Sequence, residues 1–483
     1  MKSTLRRSAD PLAAKADALV VCVADPKALD KRARAVDRGL RGALGLALGA
    51  GELDGSAGSA VEFRGGTRFG APLIIAVGVG DAGNPMDWRD AGEAAAALLG
   101  RSRRAILAPP ENATAAQVLA LAEGLGTAAY RFDRFRTGDA AKRPTLERVA
   151  VHSGAVSGRD LAAVDATVAA VHGARDLSNT PANHLTPSML ADHARALGKE
   201  IDGLKVTVLE RRQLDRLGAG ALLSVTSGSD QPPAMIVMRY SPRTAPGDEV
   251  LGLIGKAVTF DSGGISIKPS GGMEEMKMDM GGGAAVIEGT ALVARMGLPV
   301  NVLSVVPATE NLINGSATKP GDVVTAMNGK TVEVINTDAE GRLIMADALT
   351  YAAREGATRL VDFATLTGAI VVALGSVYAG LFGSDAEWTE RVRDAGEAGG
   401  DLVWPMPMHD RYDPLIRSSV ADLANAAKKR EAGAVYAAQF LREFTEGLPW
   451  CHVDIAGTGM VDGAGTGAGV RLIKALAEGL AAG

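Results

Sequence analysis

Apolar strand-like runs alternate with helical stretches along both halves of the chain. The pattern predicts an α/β protein of two domains: a smaller N-terminal α/β domain, and a larger C-terminal α/β domain with a central mixed sheet flanked by helices. Two further observations set the count. The chain has 483 residues, more than one ordinary domain holds. A long helical stretch near its first third is broken by the two prolines of "TPANHLTP", which is how a connector ends.

The elements follow in order. "ALVVCVA", "APLIIAVGVG", "AILAPP" and "ERVAVHS" read as strands, with helices over "DWRDAGEAAAALLGRS" and "TAAQVLALAEGLGTAAYRF". "RDLAAVDATVAAVHGARDLSN" is the connecting helix. The expected boundaries are residues 1–155 for the N-terminal domain, 156–180 for the connector and 181–483 for the second domain. In the latter, "LKVTVLE", "AMIVMRY", "EVLGLIG", "VNVLSVVPA", "RLVDFATL" and "WCHVDIA" read as strands, and "RLIMADALTYAAREG" and "AGAVYAAQFLREFTEG" as helices. "TAMNGKTVEVI" carries an Asn-Gly turn between two apolar runs, a hairpin signal.

Composition narrows the function. Apolar residues make up 47% and charged residues 22%, the values of a globular protein. The net charge is −5 with no basic run, which argues against a dedicated nucleic-acid binder. Two distant cysteines, Cys22 and Cys451, exclude a zinc finger or a disulfide framework. The basic N-terminus precedes an apolar stretch too short for a signal peptide, and no run has the length of a membrane helix; a cytoplasmic location is expected.

"GVGDAG" supplies Gly78, Gly80 and Gly83 in a G-x-G-x-x-G pattern. Asn84-Pro85 delays the following helix and no acid stands about 20 residues on, so a strand-ending turn is expected rather than a dinucleotide site. More informative is "NTDAEGR", Asn336 to Arg342. Read as extended, it would point Asp338, Glu340 and Arg342 to one side, and two converging carboxylates call for a cation. Asn336 and Thr337 are read as shaping the turn. A second cluster, "GKAVTFDSGGISIKPSGGMEEMKMDMGGGAA", leaves the strand "EVLGLI" carrying Lys256, Asp261, Lys268 and Asp279. An unpaired ammonium at Lys256, on the edge of an apolar strand, would be costly. Asp261, Asp279, Asp338 and Glu340 together offer an oxygen-rich set for two divalent metals, which activate water and polarise a carbonyl or phosphoryl oxygen. The six histidines form no H-x-x-x-H or H-E-x-x-H pair and are read as structural. Gly281 to Gly283 open a helix, either for close packing or for an anion. Asp347 is either a support for the site or a solvated helix charge.

"NTDAEGRL", "GK-x4-DSGG-x3-KP" and "MKMDMGGGAA" closely resemble the leucyl aminopeptidase (cytosol aminopeptidase) family of two-metal peptidases. "RDLSNTPANHLTP", "DFATLTGA", "SSVADLANA" and "HVDIAGT" resemble further blocks of it, over roughly residues 170 to 475; the N-terminal part fits by length and pattern only. The resemblance implies a catalytic second domain that removes N-terminal residues from peptides, leucine and other apolar residues preferred. It implies Lys256, Asp261, Asp279, Asp338 and Glu340 as ligands of two divalent ions (Mn2+ or Zn2+, with Mg2+ or Co2+ as further options). Asp261 and Glu340 would bridge both ions, and Lys256 and Asp279 would hold the more exchangeable one. Lys268 would stabilise the oxyanion, and Arg342 would hold a bicarbonate acting as general base. Met276, Thr365, Gly368, Ala456 and Gly459 would line the first specificity pocket. Ala257 departs from the glycine usual in the family. A homohexamer with inward-facing sites and peptides as partners are also implied; the acidic balance and the lack of a long apolar run lead us to expect neither nucleic acid nor membrane as partner. Two alternatives remain: a two-metal phosphoester hydrolase, although no P-loop is present, and an additional DNA-binding role.

Overall fold

The computed structural model describes residues 1–6, 10–81, 83–139, 144–429 and 431–482. Arg7, part of the basic N-terminus, lies outside them. Two compact units divide at His172/Gly173, inside the helix Gly158–Asn179.

The first unit is built on a six-stranded sheet. In chain order its strands are β1 (Lys2–Arg6), β2 (Ala18–Val23), β3 (Ala60–Arg64), β4 (Leu73–Gly78), β5 (Arg104–Ala108) and β6 (Arg148–His152), arranged β1-β6-β5-β2-β4-β3. All pairings are parallel except β3 with β4. Alternation along β2 explains why the strand is apolar throughout. Ala18, Val20 and Cys22 enter one core with Trp88 and Leu121 from the helices Pro85–Leu98 and Ala115–Ala128. Leu19, Val21 and Val23 enter the other with Val36 and Leu44 from the helices Lys31–Gly39 and Ala43–Ala50. Of "GVGDAG", Gly78 ends β4 and Ala82 lies outside the described residues; Gly80 has φ +57°, Asp81 N donates to Asp87, and Asn84 caps the helix that starts at Pro85.

The second unit holds a mixed sheet with helices on it. Its strands are β7 (Leu204–Glu210), β8 (Ala234–Tyr240), β9 (Val250–Gly255), β10 (Ala257–Asp261) and β11 (Asn301–Asn311). A small separate sheet contains β12 (Val323–Thr325), β13 (Thr331–Glu333) and, further on, β17 (Leu423–Ala424). The main sheet continues with β14 (Arg359–Ala364), β15 (Ala379–Gly383), β16 (Val403–Pro405) and β18 (Trp450–Asp454). Its order is β16-β15-β18-β14-β9-β11-β8-β7. The central strands β18, β14, β9 and β11 run parallel, and β15, β8 and β7 introduce antiparallel pairs.

One feature of this sheet creates the site. The long strand β11 pairs in parallel with β9 along its first half and with β10 along its second. Between β9 and β10 the chain breaks step at Lys256, whose N–H donates to Phe363 O and whose carbonyl accepts from Gly283 N. The charged cluster that follows "EVLGLI" therefore begins as a strand, β10. The glycines at the start of the helix Gly281–Met296 serve close packing: a Cβ on Gly282 would stand 2.0 Å from Phe363 O, and one on Gly283 2.7 Å from the Ala257 methyl. Among the described residues no helix is long and apolar enough to cross a membrane.

Candidate metal centre

The carboxyl ends of the central parallel strands converge, which is where open α/β sheets place their sites. Lys256 follows β9, Asp261 ends β10, Thr365 follows β14, and Ala456 lies just beyond β18. Asp279 closes the short 3-10 turn Met273–Met278, and the loop after β13 brings Asp338 and Glu340. Together they line a cavity of about 310 Å³ that also receives Lys268, Met276 and Gly368.

Two ammonium groups knit four carboxylates together. Lys256 Nζ lies 2.8 Å from Asp279 Oδ1 and 2.9 Å from Glu340 Oε1, and donates to Thr365 O at 3.0 Å. Lys268 Nζ lies 2.8 Å from Asp261 Oδ2 and 2.5 Å from Asp338 Oδ1. Ligand oxygens of Asp261, Asp338 and Glu340 fall within 4.8 Å of one another. Asp261 Oδ1 also accepts from Gly263 N and Asn311 Nδ2, and Asp279 Oδ1 from Thr365 Oγ1. Asp279 Oδ2 and Glu340 Oε2 are buried without a hydrogen-bond donor among the described residues.

The charges do not balance, and the ionisation equilibria register the deficit. Burial, Glu340 and Asp261 push Asp279 up to about 8 against the pull of Lys256. Burial and Glu340 push Asp261 up to about 6 despite both lysines. Burial also raises Asp338, whereas Lys256 and Lys268 hold Glu340 below the usual carboxylate value against the opposing effect of burial. For both lysines burial acts downward, but the surrounding carboxylates outweigh it and hold the ammonium forms. Four carboxylates facing two ammonium ions in a buried site leave room for added positive charge. Oxygen donors without partners, clustered at ligand spacing, fit hard or borderline divalent ions.

The structure corrects the extended reading of "NTDAEGR". Asn336–Glu340 is a turn, Glu340 has helical backbone angles (φ −73°, ψ −35°), and Arg342 already lies in the helix Gly341–Arg354. Asp338 and Glu340 converge through that turn rather than through strand alternation. Arg342 does not line the cavity. It is buried, with Nη1 donating to Asn425 O at 2.6 Å, the guanidinium 5.1 Å from the Tyr436 ring, and Nε without an acceptor among the described residues. Met276, Thr365, Gly368 and Ala456 line the cavity; Gly459 stands behind Thr365, where a Cβ would come within 3.5 Å of its methyl. Met278 lines the cavity too, while Met280 is core. Thr337 shapes the turn, donating to Gly263 O and accepting from Ser266 N. Asp347 is fully buried and accepts the N–H groups of Leu222 and Met327, so it is no solvated helix charge.

Sequence reasoning missed Asn425. Its Oδ1 accepts from Ile335 N and Asn336 N, and its Nδ2 donates to Asn336 O and Ala339 O. Every polar atom of this fully buried side chain is spent on the backbone that carries Asp338 and Glu340. Asn311 was missed as well; it ties Asp261 to the carbonyl of Thr337. A neutral amide has no periodic signature, and only its place in "SSVADLANA" marked Asn425.

The fold and this carboxylate–lysine centre define a metal-dependent hydrolase of two α/β domains. Residues 172–474 match the model of the cytosol aminopeptidase family, catalytic domain, and residues 20–139 match that of its N-terminal domain, so the likeness extends into the first unit. The chain belongs to the cytosol aminopeptidase family. It is similar to a probable cytosol aminopeptidase of Aromatoleum aromaticum, at 42% identity over 98% of this chain and 97% of that one. It is also similar to the structure of a mutant tomato leucine aminopeptidase, with TM-score 0.89 and 33% identity over 99% of this chain and 96% of that one. The bottromycin maturation enzyme BotP in complex with Mn gives TM-score 0.84 and 34% identity over 96% of this chain and all of BotP. The protein is accordingly an aminopeptidase.

Proposed function

We propose that the protein removes the N-terminal residue from peptides at the centre formed by Lys256, Asp261, Asp279, Asp338 and Glu340, with leucine and other apolar first residues preferred. The single observation that carries this reading is the charge deficit of the buried carboxylate cluster beside an apolar wall. Asp261 and Glu340 would be ligands of two divalent ions, Mn2+ or Zn2+ in the first instance. Lys256, Asp279 and Asp338 complete the set, and Lys256 must shed a proton to serve as a ligand. Two such ions supply an activated water and polarise the scissile carbonyl.

The chain's own residues do the rest. Lys268, charged and reaching into the cavity, stabilises the oxyanion as the carbonyl is attacked. Thr365, Gly368, Ala456 and the Met276 thioether receive an uncharged first side chain. The general base of this reading would be a bicarbonate on the Arg342 guanidinium; Nε has no protein acceptor among the described residues, but Arg342 lies outside the cavity lining, so the anion would have to extend from it to the metal centre. A homohexamer in the cytoplasm is part of the same reading.

The test is a substrate panel: leucine p-nitroanilide, its N-acetylated form and p-nitrophenyl phosphate. The proposal expects turnover of the first alone. Turnover of the phosphate ester, or equal turnover of the acetylated anilide, would contradict it.

A further inference from the structure

The cavity wall holds one carboxylate that the metal centre does not use. Glu275 sits on the turn Met273–Met278, next to Met276, and lines the same cavity as Met278, Leu366, Val371 and Met460. It is partly exposed and forms no ion pair among the described residues. Its Oε1 lies 3.8 Å from where a Cβ on Gly463 would stand, at the turn of the hairpin Met460–Val461/Ala464–Gly465. Gly463 has φ +73°, and the same turn exposes Asp462. Glu275 is thus the carboxylate at this side of the cavity, with the hairpin turn of Asp462 and Gly463 beside it. The cations inside it, Lys256 and Lys268, are both held by other carboxylates.

We propose that Glu275 is a specificity-determining residue that pairs with a cationic first side chain, lysine or arginine, of the peptide. The inference rests on the aminopeptidase reading above and deepens it. An aliphatic first residue would fill the apolar wall and leave Glu275 solvated. A lysyl or arginyl residue would lay its methylene stem along Met276 and Met460 and carry its charge to the rim. There the carboxylate meets it in a partly desolvated setting, where an ion pair discriminates more than it would on an open surface. A glutamyl or aspartyl first residue would meet repulsion at the same point.

The test uses the intact, metal-loaded protein and compares kcat/KM for lysyl, arginyl, leucyl and glutamyl p-nitroanilides in wild type, Glu275→Gln and Glu275→Asp. The expected result is a fall of about tenfold in the lysyl-to-leucyl ratio for Glu275→Gln, carried by KM of the lysyl substrate, with a smaller fall for Glu275→Asp. Raising the salt concentration should lower the wild-type ratio and leave that of Glu275→Gln flat. An unchanged ratio overturns the proposal. A loss of equal size on every substrate also overturns it and assigns Glu275 to the α-amine. So does an effect that follows the second residue in leucyl-lysine and lysyl-leucine dipeptides. Inactivity of wild type toward leucine p-nitroanilide would instead contradict the aminopeptidase reading itself.

Discussion

Glu340 Oε1 lies 2.9 Å from Lys256 Nζ, and both side chains are almost wholly removed from solvent. The contact joins the loop after the small hairpin to the break between β9 and β10. Gly341 makes it possible, because a Cβ there would stand 2.6 Å from Lys256 Cε and 2.7 Å from Nζ. Gly341→Ala should therefore displace the Lys256 amine from Asp279 and Glu340. Activity on leucine p-nitroanilide should fall about 10- to 100-fold, the range for groups that orient metal ligands. The thermal midpoint should move by only a few degrees. Steady-state kinetics beside a melting curve check this.

Asn425 holds the other side of that loop with four hydrogen bonds to its backbone. Asn425→Ala leaves two N–H and two C=O groups without their partner, so unfolding free energy should drop by about 2–4 kcal/mol. Metal affinity should fall with it, because Asp338 and Glu340 ride on the loosened turn. Denaturant titration and metal titration of the same variant measure both.

Asp347 gives a pH signature separate from the metal centre. Burial pushes its carboxyl up to about 7, outweighing the N–H donors of Leu222 and Met327. The folded state thus keeps a proton that the unfolded state has lost. The stability this contributes is full below the unfolded value near 4 and is lost as pH rises through about 7. The whole effect is on the order of 4 kcal/mol at most. Asp347→Asn should remove that slope, so its destabilisation relative to wild type should be larger at pH 4 than at pH 8. Equal slopes in wild type and variant would contradict this assignment.

Cys22 and Cys451 are both buried. Burial moves the Cys22 thiol well above the usual cysteine value and pushes Cys451 up to about 12. Neither should react with a thiol reagent at pH 8 in the native protein, and both should react in denaturant. Mass spectrometry of the labelled chain counts them.

Much of this was legible in the sequence, for definable reasons. β7 stands where its alternating pattern puts it and β8 where its continuous apolar run does, and Lys256 stood out because an ammonium rarely ends an apolar strand without partners. The extended reading of Asp338, Glu340 and Arg342 failed because a turn can gather carboxylates as well as a strand can. That turn is held from afar by Asn425, and Gly341 leaves room for Lys256 beside it. Strands β1 and β3 were not read because they are short edge strands, and the first carries charge at both ends. β10 was hidden by the glycines that follow it. Its pairing with the second half of β11 is a long-range register that no local pattern encodes.

The central claim is that the carboxylate–lysine cluster is a metal centre that hydrolyses aminoacyl bonds. The most direct measurement is leucine p-nitroanilide hydrolysis by metal-stripped protein with Mn2+, Zn2+, Mg2+ or Co2+ restored, beside Asp338→Ala treated identically. Stripped protein should remain folded, since Lys256 and Lys268 still bridge the carboxylates, and restored metal should stabilise it by about 2.7 kcal/mol at 100 times its Kd. Activity should return with metal in wild type and stay absent in Asp338→Ala. Undiminished activity without metal, full activity in Asp338→Ala, or a folded metal-loaded protein inert on every aminoacyl substrate would contradict it.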